Sequence, residues 1–141
     1  MKTVTAAEVI VDASVVAKFH FQEDGSDRAR DFLTSGAVIG APELLVIEIA
    51  SVAAKLVQRG FATPEQAQAA MVSLGDLVDE FIPLRTLGPA VLRMARDCGC
   101  SAYDATYLVV ARDRGLRVVS ADLRLIERAR ASGLGASIEA L

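Results

Sequence analysis

The chain has 141 residues, of which 52% are hydrophobic, and its 15 Lys and Arg against 18 Asp and Glu give a net charge of −3. This length predicts a single domain, residues 1–141, with a buried core, and the acidic balance argues against nonspecific electrostatic adhesion to nucleic acid. No apolar run approaches the roughly 18 residues of a membrane span and the N-terminus lacks a secretory-signal pattern, so we expect a cytoplasmic protein without membrane attachment.

Five short apolar segments predict strands, and segments with helix signals lie between them. The strand candidates are residues 8–12, 37–40, 81–84, 116–120 and a weaker 136–139. Strands that alternate with helices predict parallel pairing through crossover helices. We therefore expect an α/β fold: a three-layer α/β/α sandwich with a central parallel sheet of four to five strands.

Residues that favour helix ends mark where the helices begin. Ser26 is expected to cap a helix that reaches Thr34, and Pro42 is expected in the first turn of a helix that reaches Arg59. Four further helix starts are predicted, at a capping box of Thr63 and Gln66 around Pro64, at Pro89, at Ser101 and after Asp122.

The cysteines and the histidine do not form a recognisable metal motif. Cys98 and Cys100 are too close in sequence to staple a fold, and His20 is the only histidine. A Cys/His zinc site therefore lacks ligands, and we expect two reduced thiols.

Two aspartates close predicted strands. Asp12 follows the apolar run Val9–Val11, and Asp122 comes two residues after Ser120 at the end of the fourth strand. Ligands of parallel sheets bind outside the carboxyl ends of the strands, which is where both aspartates fall. Each also has a purely structural explanation as a turn or helix-cap residue. Ser120 could orient Asp122 or hold a metal-bound water.

Two more carboxylates lie on predicted helices without cationic neighbours. The positions three and four residues from Glu48 carry Leu44, Leu45, Ser51 and Val52. A solvated glutamate normally has basic neighbours there, although this side chain could also reach solvent. Asp104 lies three residues after Ser101 at a helix start, where it either completes a capping box or faces inwards as an anion stabilised by the helix N-terminus.

If these four carboxylates converge, their repulsion requires protonation or a divalent cation. A ligand set of oxygen atoms alone favours a hard ion, Mg²⁺ or Mn²⁺. Mg²⁺ usually shares its coordination shell with phosphate, so the pattern indicates a phosphoryl or phosphodiester centre.

Four segments then resemble, in order and spacing, the motifs of PIN-domain ribonucleases, above all the VapC-type toxins of type II toxin–antitoxin pairs. They are VIVDASVVAKF, APELLVIEIASVAAKLVQRG, SAYDATYLVVARDRG and VVSAD. The resemblance implies a catalytic quartet of Asp12, Glu48, Asp104 and Asp122, with Asp12 and Asp104 as the principal Mg²⁺ ligands. Ser14 and Ser120 are its supporting hydroxyl residues, and Ser120 stands where the family more often has Thr.

The resemblance also implies a function and partners. The expected activity is Mg²⁺-dependent hydrolysis of RNA by an endoribonuclease, with Mn²⁺ able to substitute for Mg²⁺. The protein is expected to be a toxin that forms a homodimer and is neutralised by a cognate antitoxin. Arg85, Arg117, Arg124 and Arg128 are either RNA contacts or ordinary solvated residues.

Three other functions fit the sequence to different degrees. A catalytically silent PIN-fold binding module, acting through protein or RNA partners, stays open. A phosphotransfer receiver domain would need an acceptor Asp after the central strand and a Lys near the last strands. The residues after the third predicted strand, RTLG, include no carboxylate, and no Lys lies beyond Lys55, so this function is disfavoured. A dinucleotide-binding fold fails because DASVVAKF lacks the required glycines.

Overall fold

A computed structural model describes residues 6–141 of the chain. Within this range five parallel strands form one sheet in the order β3-β2-β1-β4-β5. The strands are β1 (Val9–Val11), β2 (Ile39–Pro42), β3 (Glu80–Ile82), β4 (Val118–Ser120) and β5 (Ile138–Ala140). The predicted parallel sheet is confirmed, including its weakest strand.

Seven α-helices of the described range flank the sheet. They are α1 (Ala13–His20), α2 (Ser26–Leu33), α3 (Leu44–Gln58), α4 (Pro64–Leu77), α5 (Gly88–Cys98), α6 (Ala102–Arg114) and α7 (Leu123–Ala131). A 3₁₀ turn, Gly135–Ser137, leads into β5. Across residues 6–141, no helix combines the length and apolarity that crossing a membrane would demand.

The alternation of side chains along the strands divides the core into two layers. Val9 and Val11 point to the face covered by α1, α2, α3 and α4, whereas Ile10 points to the face covered by α5, α6 and α7. Val119 and Val118 divide in the same way on the neighbouring strand. Because both faces are covered, the central strands are apolar throughout, as in other parallel sheets. This arrangement is the predicted three-layer sandwich.

Most of the predicted helix starts are confirmed. Thr63 and Gln66 form the reciprocal capping box of α4, with Pro64 in its first turn. Ser101 accepts a hydrogen bond from the N–H of Asp104 at the start of α6, and Asp122 caps α7.

Two predicted helix starts are wrong. Gly25, with φ of 87°, is the N-cap of α2, and Ser26 is its first helical residue, with a hydroxyl that bonds the backbone of Phe21 and Glu23 instead. Pro42 is the last residue of β2, not part of α3. The N–H of the next residue, Glu43, donates to Ile82 on β3, so the pairing of β2 with β3 continues past the proline.

Gly40 permits close packing at the centre of the sheet. A Cβ atom at this position would lie 2.7 Å from the Cβ of Ala7 and 3.2 Å from Cδ1 of Ile10. The glycine therefore allows the segment that precedes β1 to approach β2.

Candidate active site

The strand order reverses at the carboxyl ends of β1 and β4. The chain passes from β1 outward to β2 and β3, then returns to the other side of β1 to form β4 and β5. Such a reversal leaves an opening where loops diverge, which is the usual ligand site of open parallel sheets. Asp12 directly follows β1, and Ser120 ends β4. Both residues therefore lie at this reversal point.

Asp12 is held by two serine hydroxyls and by backbone N–H groups. The Ser14 hydroxyl donates to Oδ1 of Asp12 and the Ser120 hydroxyl donates to Oδ2. The backbone N–H groups of Ser14 and Val15 also donate to Oδ1, at N–O distances of 3.1 and 3.4 Å, so Asp12 caps α1. Only 5% of Asp12 is exposed. Its carboxylate is thus fixed in orientation.

The same serines tie this carboxylate to the end of β4. Ser14 Oγ accepts a hydrogen bond from the N–H of Ala121 at 2.9 Å, and Ser120 Oγ accepts one from the N–H of Asp122 at 3.0 Å. The sequence left two roles open for Ser120, orienting the Asp122 carboxylate or holding a metal-bound water. In the structure its hydroxyl donates to Asp12 instead.

Burial makes Asp12 a weaker acid. Removal from water raises the pKa of Asp12 to about 6, and the charge of Asp122 adds to the rise. The hydrogen bonds from Ser120, Ser14 and Val15 lower the pKa but do not cancel this increase. A buried carboxylate with a pKa of about 6 is mostly ionised at neutral pH, but it takes up a proton far more readily than an ordinary aspartate. A nearby cation would hold it ionised.

Asp104 and Asp122 lie close enough to influence each other. Burial raises the pKa of Asp104, the charge of Asp122 raises it further, and Arg128 opposes the rise. Asp122 Oδ1 accepts hydrogen bonds from the N–H groups of Arg124 and Leu125, at 3.0 and 3.2 Å. The helix-cap explanation of Asp122 is therefore correct, and its second carboxylate oxygen accepts no hydrogen bond from the described residues.

Glu48 is held by Tyr107, a residue that is not among the predicted site residues. The hydroxyl of Tyr107 donates to Oε1 of Glu48 at 2.6 Å, and Tyr107 is buried. Burial raises the pKa of Glu48, the Tyr107 hydrogen bond opposes this, and the charge of Asp104 adds to the rise. The pKa of Tyr107 is raised as well, by burial and then by Glu48, so it stays a donor. A buried tyrosine hydroxyl needs a hydrogen-bond partner. This need was the one sequence signal that could have linked Tyr107 to a polar site residue.

The four predicted carboxylates thus form one electrostatic group. Asp122 acts on both Asp12 and Asp104, and Asp104 acts on Glu48. Among residues 6–141 none of the four forms an ion pair with a basic side chain. Such a group is electrostatically unfavourable without a cation.

The carboxylates do not form a ready-made cage for an ion. In the described part of the chain, no three His, Cys, Asp or Glu side chains lie close enough together to hold one metal ion. Mg²⁺ is commonly bound through one or two carboxylates, with waters and substrate phosphate completing the octahedron. One or two carboxylates suffice for that mode of binding, whereas residues 6–141 contain no group of three such side chains that could hold an ion without it.

A family model described as the PIN domain matches residues 9–131. The chain belongs to the PIN-domain family. PIN domains are generally nucleases and usually bind divalent metals. The match covers every predicted site residue of this PIN domain, from Asp12 to Asp122.

The fold likeness extends to a solved structure. The crystal structure of PAE2754 from Pyrobaculum aerophilum aligns with a TM-score of 0.70 at 22% sequence identity, over 86% of this chain and 79% of that chain. At this identity the likeness concerns the fold alone. No curated protein sequence matches the chain significantly.

Proposed function

We propose that this PIN domain is a Mg²⁺-dependent endoribonuclease and the toxin of a toxin–antitoxin pair. The observation that carries the nuclease proposal is Asp12. A buried carboxylate at the carboxyl end of the central strand, aligned by two serines and forming no ion pair with a basic side chain of residues 6–141, is costly to the fold. A bound cation would remove that cost. The support for the toxin role is the motif resemblance to VapC-type proteins.

Asp12 and Asp104 are the residues that would hold Mg²⁺, or Mn²⁺ in its place. When bound, the ion neutralises phosphate charge and lowers the pKa of a bound water. The all-oxygen donor set suits both metals and disfavours softer ones.

The chain's own residues supply orientation and proton handling. Ser14 and Ser120 fix the two oxygens of Asp12. Tyr107 fixes Oε1 of Glu48 and leaves Oε2 available. Glu48 and Asp122 are the two candidates to orient an attacking water or to accept its proton, because neither forms an ion pair with a basic residue in the described range 6–141.

The test is cleavage of single-stranded RNA with Mg²⁺, with EDTA, and by the variants Asp104→Asn and Asp97→Asn. We expect cleavage only with Mg²⁺, its loss in Asp104→Asn by at least a hundredfold, and no change in Asp97→Asn, an exposed residue of α5 that forms no ion pair within residues 6–141. Equal activity of wild type and Asp104→Asn would overturn the role of Asp104.

The absence of a three-carboxylate cluster within residues 6–141 favours one other candidate, a catalytically silent module that acts through protein or RNA partners. Calorimetry separates the two. Mg²⁺ binding that is lost in Asp104→Asn supports the nuclease, whereas no Mg²⁺ binding together with tight partner binding supports the module.

The partners are proposed on the resemblance. We expect a homodimer, which sedimentation at micromolar concentration would report as twice the mass of one chain. We also expect growth arrest on expression of wild type but not of Asp104→Asn, with rescue by the product of a neighbouring antitoxin gene. Growth arrest by both variants would contradict the toxin proposal.

A further inference from the structure

A cleft of about 460 Å³ adjoins the proposed nuclease centre. Its lining includes Ile47, Glu48, Ser51 and Lys55 of α3, and Tyr103 of α6. We call it the Tyr103 cleft. Glu48 belongs to both the cleft and the carboxylate group, and Tyr103 directly precedes Asp104. The cleft is therefore a direct extension of the site rather than a separate depression.

Two large side chains of this cleft are unusually open to solvent. Ile47 is 67% exposed and Tyr103 is 62% exposed. Neither contributes to the core, since the buried face of α3 consists of Leu45, Ile49 and Ala53. Exposed apolar groups grouped beside polar functional residues are typical of binding surfaces.

Among the described residues that line the cleft, Lys55 is the only basic one. Within residues 6–141 it takes part in no ion pair, although it lies two turns along α3 from Glu48. Its charge is therefore available to an anion from outside the chain.

We propose that the Tyr103 cleft binds one nucleotide of single-stranded RNA beside the cleaved phosphodiester, with its base stacked on Tyr103 and its phosphate near Lys55. This proposal rests on the nuclease function proposed above. The volume lies in the range of small-ligand sites, roughly 300–1,000 Å³, which suits a single nucleotide better than a protein helix. An aromatic face, an apolar wall and one cation match the three parts of a nucleotide.

The chemistry of the cleft also predicts what kind of RNA binds. Stacking on an aromatic ring accepts any base, so the cleft would require an unpaired base without selecting its identity. Bases within a duplex are already stacked and are not available in this way. The cleft therefore favours single-stranded loops over helical RNA.

Binding is measured by fluorescence anisotropy of a labelled oligouridylate octamer in EDTA, so that it is read without cleavage. We expect Tyr103→Ala to weaken binding about tenfold and Tyr103→Phe, which keeps the ring, to bind like wild type. An octamer with abasic ribose at every position should bind wild type and Tyr103→Ala equally. Lys55→Gln should reduce the salt dependence of binding by about one ion.

Matched variants separate the cleft from the rest of the surface. Phe61→Ala removes another exposed aromatic residue that does not line the cleft, and Arg59→Gln removes an exposed charge just beyond α3. Both should leave octamer binding unchanged. Equal weakening by Phe61→Ala and Tyr103→Ala would overturn the proposal.

Other outcomes distinguish this proposal from the function on which it rests. If wild type cleaves RNA and Tyr103→Ala binds the octamer normally, the cleft proposal fails and the nuclease stands. If the octamer binds through Tyr103 but no RNA is cleaved with Mg²⁺ or Mn²⁺, the nuclease fails and the cleft stands. If Tyr103→Ala halves the sedimentation mass while octamer binding is unchanged, the cleft is covered by a second copy and the proposal is overturned.

Discussion

Replacing Asp12 by Asn should stabilise the metal-free protein at neutral pH while it abolishes metal binding. Asp12 is 5% exposed, and burial raises its pKa from 3.8 to about 6. A folded-state pKa above the unfolded value means that the folded state holds its proton more tightly. Ionisation at neutral pH therefore opposes folding.

The magnitude follows from the same pKa. A rise from 3.8 to about 6 corresponds to about 3 kcal/mol of destabilisation at pH 7.5. The amide of Asn cannot accept hydrogen bonds from both Ser14 and Ser120, and the loss of one costs about 1 kcal/mol. We expect a net gain of about 1–2 kcal/mol in the free energy of unfolding.

The pH dependence has a definite sign. The stability of wild type that depends on protonated Asp12 is fully present below pH 3.8 and is lost as pH rises through about 6. The stability of Asp12→Asn does not fall in this way as pH rises, because the Asn side chain does not ionise. The variant should therefore be about as stable as wild type near pH 4.5 and more stable above pH 6.5.

Urea unfolding followed by far-ultraviolet circular dichroism, in EDTA between pH 4.5 and 7.5, measures both effects. Asp31→Asn, an exposed carboxylate on α2, is the matched control and should change stability by less than about 0.5 kcal/mol. Added Mg²⁺ should stabilise wild type and leave Asp12→Asn unchanged. A variant that is less stable than wild type at pH 7.5 in EDTA, with a neutral control, would refute the reasoning.

Three further predictions concern single contacts. Tyr107→Phe removes the hydrogen-bond donor to Glu48. In Mg²⁺-dependent RNA cleavage we expect kcat to fall tenfold or more while KM stays nearly unchanged. An unchanged rate would show that Glu48 needs no positioning by Tyr107. Ser120→Ala removes a hydroxyl that lowers the pKa of Asp12, so Mg²⁺ affinity by calorimetry should fall several-fold, while Ser120→Thr should retain it. Gly40→Ala places a Cβ 2.7 Å from that of Ala7 and should destabilise by about 1–3 kcal/mol in urea unfolding; Gly75→Ala, which meets no atom within 4 Å, should not.

The sequence predicted the features that depend on local pattern. Apolar runs located the strands, and Thr63, Ser101 and Asp122 located helix starts, because capping bonds form within a few residues. The prediction that Pro42 lies in a first helical turn was wrong because the fixed φ and missing N–H of proline suit a strand end equally well. Only the pairing of β2 with β3 decides between them.

The site was predictable in composition but not in its contacts. Carboxylates at strand ends could be placed at one edge of the sheet because parallel topology requires it. The hydrogen-bond partners of Ser120 and Glu48 could not be predicted. Ser120 donates to Asp12, 108 positions away, and Glu48 accepts from Tyr107, 59 positions away. Such contacts depend on packing between elements rather than on spacing along the chain.

The serine contacts to Asp12 also determine when the chain can become active during synthesis. The bonds from Ser120 to Asp12 and from Ala121 to Ser14 span more than 100 residues. A growing chain carries Asp12 long before Ser120 and cannot orient it until β4 has left the ribosome and paired with β1. An enzyme with the proposed ribonuclease activity, made beside the ribosome's own RNA, would thus stay inactive until β4 has been synthesised.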